Sequence, residues 1–319
     1  MYRGKKIALV VPAYNEARLI GPTLESVPEL FDKIYVVDDL SPDNQNEVIL
    51  RCAARDPRIC LIKHEKQQGP GGAIISGYRQ AAADDNGVTV VVGGDNQMLL
   101  SEVRPFLDPI IDGKVDYTKG NRFLLSTIND TLDKMPTTRV VGNIVITALT
   151  KMASGYYKSK DVVDGYTAIS KKAIKKINWD KAWKKYGYPM DFLIRLNGYG
   201  FKILEVPRTA VYLEGERQSQ IKGLDYAIKV SPMLLKGFFW RLKFRYLYRD
   251  FHPLVFLYFF SFLALPTGFL YGIWLFIKQY TMGLDVTGPQ AILCAMLILL
   301  GYQSHIFAML FDMQESEQK

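Results

Sequence analysis

Four short apolar runs open the chain, and amphipathic segments separate them. The runs KIALVVPA, KIYVVDD, ICLIKH and VTVVVGGD are continuously apolar rather than alternating in polarity, which predicts strands buried on both faces of a sheet. The segments between these runs repeat their apolar residues with the period of an α-helix. This order predicts an α/β fold, Rossmann-like, with a mostly parallel sheet from residue 7 to about residue 120.

A second α/β stretch follows a region of different character. Residues 121–165 combine a loop with an amphipathic segment that predicts a helix over about 137–153. The strand and helix patterns then resume and end in the polar segment YLEGERQSQIKG. We therefore expect the first domain to cover residues 1–230.

The last part of the chain is far more apolar. Residues 254–277 form an uncharged run of 24 residues, and a helix of that length would span about 36 Å, enough to cross a bilayer core of about 30 Å. A second run, 291–311, contains only mildly polar residues and His305. The short connector between the runs predicts an antiparallel transmembrane hairpin over residues 254–313. The length of both runs disfavours the alternative, core helices of a large soluble protein.

Residues 231–253 interleave aromatic side chains with Lys236, Arg241, Lys243, Arg245 and Arg249. A basic and aromatic amphipathic segment beside a membrane span is typical of the headgroup layer. The tendency of basic residues to stay on the inner side predicts that the first domain and both termini are cytoplasmic.

Charge and cysteine content narrow the class of protein. The formal net charge is +8 and the pI is about 9.1, so nucleic acid, a phosphorylated substrate and an anionic membrane surface are all candidate partners. The three cysteines have no C-x-x-C spacing. This argues against a disulfide scaffold or a structural zinc site and fits a reducing compartment.

Polar clusters follow the ends of the predicted strands, where parallel sheets bind ligands. They cover residues 13–16, 38–43 and 93–97 and predict a nucleotide-type site. Tyr14 and Glu16 can hold a base and a ribose, and Asp38 can accept hydrogen bonds from a nucleoside. Turn formation and helix capping explain the same residues equally well. The glycines at 71 and 72 fit either close helix packing or the approach of a ligand to the backbone.

The segment GGDNQ places Asp95 and Gln97 on the same side of an extended chain. Carboxylate and amide oxygens suit Mg²⁺ or Mn²⁺ bridged to a diphosphate. Arg122 follows another predicted strand end, and Arg139 and Asn143 lie one helical turn apart. Together they can bind a phosphate through forked hydrogen bonds, although a solvated surface explains any single arginine as well.

Three aspartates are candidates for a general base or for a ligand of substrate hydroxyls. Asp161 and Asp164 precede Gly165, and Asp191 begins a predicted helix. Asp191 can equally be a favourable charge at the helix start.

The ordered motifs VVPAYNE, VVDDLSPD, GPGGAIISGYRQA, GGDNQ, KGNR and DVVDGYTAIS resemble those of family-2 glycosyltransferases of the GT-A fold. The resemblance is closest to the branch of dolichol-phosphate mannose synthases and polyprenyl-phosphate glycosyltransferases. It extends through GYGFKILEVP and the membrane hairpin, so it covers nearly the whole chain.

The resemblance implies inverting transfer of a hexose from a nucleotide sugar of the GDP-mannose or UDP-glucose type. The acceptor would be a polyprenyl or dolichyl phosphate at the cytoplasmic membrane face, and a divalent metal, Mg²⁺ or Mn²⁺, would assist. The partners would include the lipid bilayer but not nucleic acid, and a homo-oligomer formed through the hairpin is left open.

The resemblance also implies roles for individual residues. The nucleotide sugar would be bound by Pro12, Ala13, Tyr14, Glu16, Asp38, Asp39, Gly72, Asp95 and Asn96. The metal would be bound by Asp95 and Gln97. The lipid phosphate would be bound by Arg122, Arg139, Asn143, Arg217, Ser219 and Lys222. The catalytic set would be Asp95, Arg122, Arg139 and Asp191.

Two positions depart from the family pattern. The family's D-x-D-x-Q metal motif has Gly93 in place of its first aspartate, and Asp164 stands where Ser or Asn is usual. We expect a weaker metal site, in which Asp39 or the phosphates of the donor supply the missing oxygens.

Two alternative functions remain open. The acceptor can be a lipid-linked sugar, in which case Asp191 would be required as a base because a sugar hydroxyl must be deprotonated. The chain can also be a catalytically impaired membrane-bound homologue, with Gly93 as the sign of the loss. A lipid phosphate is already an anionic nucleophile and requires no strong base.

Overall fold

The computed structural model describes residues 1–124, 137–209, 211 and 223–317. Seven strands of this part form one sheet in the order β3-β2-β1-β4-β6-β5-β7, in which β6 is antiparallel to both neighbours and every other pair is parallel. The predicted mostly parallel sheet is confirmed. The strands are β1 Ile7–Ala13, β2 Lys33–Asp38, β3 Ile59–Lys63, β4 Val88–Val91, β5 Tyr117–Asn121, β6 Thr167–Ser170 and β7 Ile203–Pro207.

Helices connect the strands and continue beyond the sheet. They are α1 Ile20–Glu25, α2 Gln45–Arg55, α3 Pro70–Ala83, α4 Arg104–Ile111, α5 Thr137–Ser154, α6 Lys171–Lys176, α7 Tyr188–Gly198, α8 Gly223–Lys243, α9 Leu254–Tyr280 and α10 Gly288–Glu317. A 3₁₀ turn covers Leu100–Glu102, and a π-helix covers Phe244–Arg249. The predicted domain boundary at residue 230 falls inside α8.

Apolar side chains cover both faces of the sheet. One core joins the alternate residues of β1 to α1, α2 and α4, and it includes Phe106 stacked on Tyr166 with ring centroids 4.1 Å apart. On the other face, the rings of Tyr78 and Trp179 meet edge to face, as do those of Trp179 and Phe192. Burial on both faces explains why the strands are continuously apolar.

Residues Met1–Phe238 form one compact unit, and Phe239–Lys319 form a second. Within the described residues of the second unit, Leu254–Tyr280 and Gly288–Ser316 are each long and apolar enough to cross a membrane. Gly268 and Gly301 lie where α9 and α10 pack together, since an added Cβ would be 2.8 Å from Ile298 and 3.0 Å from Leu265, respectively. Large apolar side chains remain exposed on both helices, among them Phe256, Leu263, Leu270, Phe276, Leu293 and Leu299.

Arg241 differs from the headgroup-facing role expected for its segment. Its side chain is fully buried and donates to both carboxylate oxygens of Asp312 at 2.8 and 2.7 Å. Tyr246 donates to the same carboxylate at 2.5 Å. A buried guanidinium requires such a partner, so Arg241 is fixed to the end of α10, while Lys236 and Lys243 of the same segment stay exposed.

Gly77 of α3 sets the distance between this helix and the central strand β1. An added Cβ would lie 2.3 and 2.6 Å from the two methyl groups of Val10, which is fully buried and has no room to move. We expect Gly77→Ala to lower the free energy of unfolding by about 1–2 kcal/mol, because overpacking outweighs the gain in helix propensity.

Thermal or chemical unfolding of the purified protein measures this loss. Gly87→Ala is the matched control, since its Cβ would meet Lys5 at an ordinary 3.4 Å. Equal stability of the two variants would contradict the close approach of α3 to β1.

Candidate active site at the strand ends

The loops after β1 and β2 are tied to each other. Three consecutive backbone N–H groups of the first loop donate to side chains of the second. These bonds run from Asn15 to Ser41 Oγ at 2.7 Å, from Glu16 to Gln45 Oε1 at 3.1 Å and from Ala17 to Asp43 Oδ2 at 2.9 Å. Partial burial acts to raise the pKa of Asp43, but hydrogen bonds from Ser41, Ala17 and Gln45 outweigh it and the pKa is lowered. The two loops therefore form one preorganised surface.

Asp38, expected to bind the nucleoside, is buried at the end of β2 and serves its own loop. Its carboxylate accepts from Gln45 Nε2 at 2.5 Å, from Asn46 Nδ2 at 3.1 Å and from the Ser41 backbone at 3.1 Å. Gln45 also donates to the Ala13 carbonyl at 3.3 Å. The turn-forming role that the sequence left open is therefore present in the structure.

Asp39 orders the glycine-rich turn before α3. Oδ1 lies 2.7 Å from His64 Nδ1 and accepts from the Gln68 backbone at 2.8 Å, while Oδ2 accepts from the Gly69 backbone at 2.7 Å. Gly72 is packed closely, since an added Cβ would lie 2.5 Å from the Gln68 Cβ. Both oxygens of Asp39 thus hold this turn, which favours the donor phosphates over Asp39 as the source of missing metal ligands.

The segment 93–97 follows β4 and lies beside the end of β1, because a Cβ on Gly94 would be 3.5 Å from the Ala13 Cβ. Asn96 adopts a left-handed conformation with φ of 54°. The Asp95 carboxylate turns back toward Gly93, where an added Cβ would lie 2.8 Å from Oδ1, and it accepts from the Gln97 N–H at 3.3 Å. Burial raises the pKa of Asp95, opposed by the Gln97 hydrogen bond and by the charge of Arg208.

A divalent metal fits this segment only with additional ligands. Within the described ranges there is no group of three or more His, Cys, Asp or Glu side chains that could hold a metal ion. The Asp95 carboxylate and the Gln97 amide are nevertheless hard oxygen donors, and Mg²⁺ is commonly bound by one or two carboxylates together with substrate phosphates and water. The residues therefore fit a metal that is held jointly with a diphosphate.

Arg122 lies just after β5 and is held by two buried aspartates. Its Nε and Nη2 donate to Asp161 at 2.8 and 3.0 Å, and Nε lies 3.3 Å from Asp164 Oδ2. Burial acts to raise the pKa of Asp161, but the hydrogen bonds and charge of Arg122 outweigh it and the pKa is lowered. Asp161 and Asp164, considered as bases from the sequence, are thus ion-paired carboxylates.

Arg208 belongs to the same cluster and was missed by the sequence reasoning. It follows β7, is buried, and donates through Nε to Asp164 Oδ2 at 2.7 Å. Its Nη1 donates to the Gln97 carbonyl at 3.4 Å. The signal was available, since Arg208 stands at a strand end, as do the residues that were selected.

Asp191 lies in the first turn of α7 rather than in this cluster. Its Oδ2 accepts from the Trp183 backbone at 2.8 Å and from Arg195 Nε at 2.7 Å. These contacts match the helix-start role. Its roles as a catalytic residue or a base stay predictions.

The remaining predicted residues divide into two groups. Pro12 and Ala13 end β1, and Tyr14, which follows them, is 44% exposed. Arg139 and Asn143 belong to α5, but their side chains are outside the described part of the structure, and the expected phosphate ligands Arg217, Ser219 and Lys222 lie outside it altogether.

Comparisons with known proteins agree on one family. The model of glycosyl transferase family 2 matches residues 8–178. The chain is 29% identical to the UDP-N-acetylglucosamine–dolichyl-phosphate N-acetylglucosaminyltransferase of Methanococcus voltae, over 66% of this chain and 87% of the relative. It is 27% identical to the undecaprenyl-phosphate mannosyltransferase of Micrococcus luteus, over 66% of this chain and 85% of the relative.

A solved structure with the same fold is glucosyl-3-phosphoglycerate synthase from Mycobacterium tuberculosis, in complex with Mn²⁺, UDP and glucosyl-3-phosphoglycerate. Its TM-score is 0.53 at 17% sequence identity, covering 74% of this chain and 80% of the synthase. The expected GT-A fold is confirmed by this likeness.

The three hydrogen bonds to Asp39 predict the effect of removing one acceptor. Asn at position 39 would place an NH₂ group against at least one N–H donor of the turn. We expect Asp39→Asn to lower the free energy of unfolding by about 1–3 kcal/mol, because a buried donor loses its acceptor.

Unfolding of the purified protein measures this change, with Asp180→Asn, whose carboxylate is 78% exposed, as the control. An Asp39→Asn variant as stable as the control would show that the turn does not depend on the carboxylate.

Proposed function

The chain belongs to glycosyl transferase family 2, and from this premise we propose that it transfers a hexose from a nucleotide sugar to a polyprenyl phosphate at the cytoplasmic face of a membrane. The proposal rests foremost on one observation: the segment 95–97 and the guanidinium of Arg122 lie at the same edge of one sheet, where Asp164 contacts both Arg122 and Arg208, and Arg208 donates to the Gln97 backbone carbonyl. In this proposal, a site for the donor diphosphate and a site for the lipid phosphate would be adjacent.

The relatives support the acceptor class. The proteins from Methanococcus voltae and Micrococcus luteus are named for transfer to dolichyl phosphate and to undecaprenyl phosphate. Two helices long enough to cross a membrane lie in the described part of residues 239–319, which suits an enzyme with a lipid-borne acceptor. We assign residues 1–230 to catalysis, 231–253 to the membrane interface and 254–313 to the hairpin.

The proposed transfer depends more on aligning the lipid phosphate with the anomeric carbon of the donor than on removing a proton. A lipid phosphate can attack the anomeric carbon from the side opposite the leaving diphosphate, which inverts the configuration. Arg122 would bind and orient this phosphate in exchange for part of its contact with Asp161. Asp191 is held by Arg195 and the Trp183 backbone, and a phosphate acceptor makes no demand on it as a base.

The donor would lie along the ends of β1, β2 and β4. The tied loops after β1 and β2 offer a fixed surface for the nucleoside, and Asp95 with Gln97 would hold Mg²⁺ or Mn²⁺ together with the donor diphosphate. When bound, the metal neutralises charge on the leaving nucleoside diphosphate. The synthase with the same fold was crystallised with Mn²⁺ and UDP, which supports the use of a divalent metal.

A donor screen in oriented vesicles tests the function and the membrane face together. Radiolabelled GDP-mannose, UDP-glucose and UDP-N-acetylglucosamine are offered to membrane vesicles that contain the protein and polyprenyl phosphate. We expect one donor to label the lipid in inside-out vesicles, while sealed right-side-out vesicles stay unlabelled because nucleotide sugars do not cross membranes. Labelling only in right-side-out vesicles would refute the orientation, and no labelling in either would refute the transfer.

Removal of the metal or of its carboxylate tests the role of Asp95. We expect EDTA to abolish transfer, Mn²⁺ or Mg²⁺ to restore it, and Asp95→Ala to reduce kcat/KM by at least about a hundredfold, the scale of losing one electrostatic contact to the leaving group. Asp285→Ala, an exposed substitution between α9 and α10, is the control. Activity that survives both EDTA and Asp95→Ala would overturn the metal assignment.

A further inference from the structure

Four chain segments meet at one point because of the register around β6. Val91 of β4 pairs with Thr167, which also pairs with Lys119 of β5, and Asn121 pairs with Pro207 of β7. The residues that follow β4, β5 and β7 therefore lie beside the residues that precede β6. Asp164 belongs to the segment that precedes β6, and Arg208 directly follows β7.

Asp164 and Arg208 form a buried pair with defined geometry. Asp164 accepts from the Tyr166 backbone at 2.8 Å through Oδ1 and from Arg208 Nε at 2.7 Å through Oδ2. Their side chains are only 0% and 7% exposed. The pair occupies space left by Gly120, where an added Cβ would lie 2.7 Å from Asp164 and 2.9 Å from Arg208.

A buried ion pair adds little to the stability of a protein, because removing two charges from water costs about as much free energy as their attraction returns. The contacts of this pair indicate another role. The guanidinium continues past Asp164 and donates through Nη1 to the Gln97 carbonyl at 3.4 Å and to the Thr209 carbonyl at 3.1 Å. Gln97 is the last residue of the segment 93–97, in which Gly93 stands where the family motif has its first aspartate.

We propose that Arg208, oriented by Asp164, is a positioning residue that holds the segment 95–97 in the conformation that binds the metal and the donor diphosphate. This inference rests on the proposed function. The segment has only one carboxylate that could bind the metal, so the position of its backbone matters more for metal binding. Arg208 contacts that backbone at the Gln97 carbonyl. This role would connect the two departures from the family pattern: Asp164 orients the arginine that holds the segment in which Gly93 replaces an aspartate.

The role predicts a selective defect. Without the guanidinium, the segment 95–97 loses a charged hydrogen bond and samples other conformations, so binding of the metal with a nucleoside diphosphate weakens. Arg122 shares Asp164 with Arg208 but keeps its two hydrogen bonds to Asp161 when Arg208 is replaced, so we expect binding of the lipid phosphate to change much less. Replacing a purely structural residue would instead lower the stability of the protein, with no selective effect on binding of the nucleotide over binding of the lipid phosphate.

Calorimetric titration of the full-length protein with UDP and with GDP, each with Mn²⁺, provides a readout that does not require turnover. We expect Arg208→Gln to raise the Kd of the nucleotide that binds by about tenfold, the scale of one hydrogen bond to a charged group. Arg208→Lys should raise it by a smaller factor, since an ammonium keeps the charge but cannot fork to both partners. Asp164→Asn should act in the same direction, and the double variant should be no worse than Arg208→Gln alone, because the two residues act as a unit.

The exposed Arg79→Gln is the matched control and should leave the Kd unchanged. In transfer assays, Arg208→Gln should raise the KM of the donor and the half-saturating Mn²⁺ concentration while the KM of polyprenyl phosphate stays within about twofold. If Arg208→Gln does not fold, Arg208→Lys and Asp164→Asn carry the test.

The outcomes separate the two proposals. The positioning role is overturned if the wild type transfers sugar but Arg208→Gln or Arg208→Lys binds Mn²⁺ and nucleotide as the wild type does. It is also overturned if the variants lower only the thermal unfolding midpoint. If the wild type transfers nothing to polyprenyl phosphate, yet binds Mn²⁺ with a nucleotide and loses that binding in the variants, the proposed acceptor is wrong and the role of Arg208 stands.

Discussion

The insertion of β6 between β4 and β5, antiparallel to both, determines what the site can contain. In a fully parallel sheet, the residues that precede a strand lie at the edge opposite to the ligand-binding edge. Here they lie at the ligand-binding edge, so Asp161 and Asp164, which precede β6, meet the arginines that follow β5 and β7. The charge cluster between the two proposed phosphate sites exists because of this one reversal.

Pairing with carboxylates changes what Arg122 can bind. Its guanidinium is oriented by two contacts with Asp161, so little conformational entropy remains to be lost when a ligand binds. A ligand must also offer enough negative charge to compete with a buried carboxylate, which a phosphate does and a sugar hydroxyl does not. The cluster thus favours an anionic acceptor on energetic grounds.

Local patterns predicted the parts of the fold that local physics controls. Continuously apolar runs identified β1 to β4, and hydropathy identified the two long C-terminal helices, because burial and bilayer thickness act on consecutive residues. The antiparallel direction of β6 and the pairing of Asp164 with Arg208, 44 positions apart, depend on tertiary register, which no local pattern records, although Arg208 itself stands at a strand end. The same holds for Arg241 and Asp312, which are 71 positions apart. Asp38 and Asp39 were selected correctly as strand-end residues, but the sequence could not decide between ligand binding and loop ordering.

The single carboxylate of residues 95–97 has a consequence for the proposed reaction. Asp39 is committed to the turn before α3, and the described residues contain no cluster of three side chains that could complete a metal site. The described residues then offer too few ligands for a tightly held ion, so in the proposed reaction the remaining oxygens would come from the donor diphosphate and water. Metal and donor would enter as one complex, each raising the affinity for the other by the same factor. On that account Gly93 is compatible with activity, and it shifts part of the metal site from the protein to the substrate.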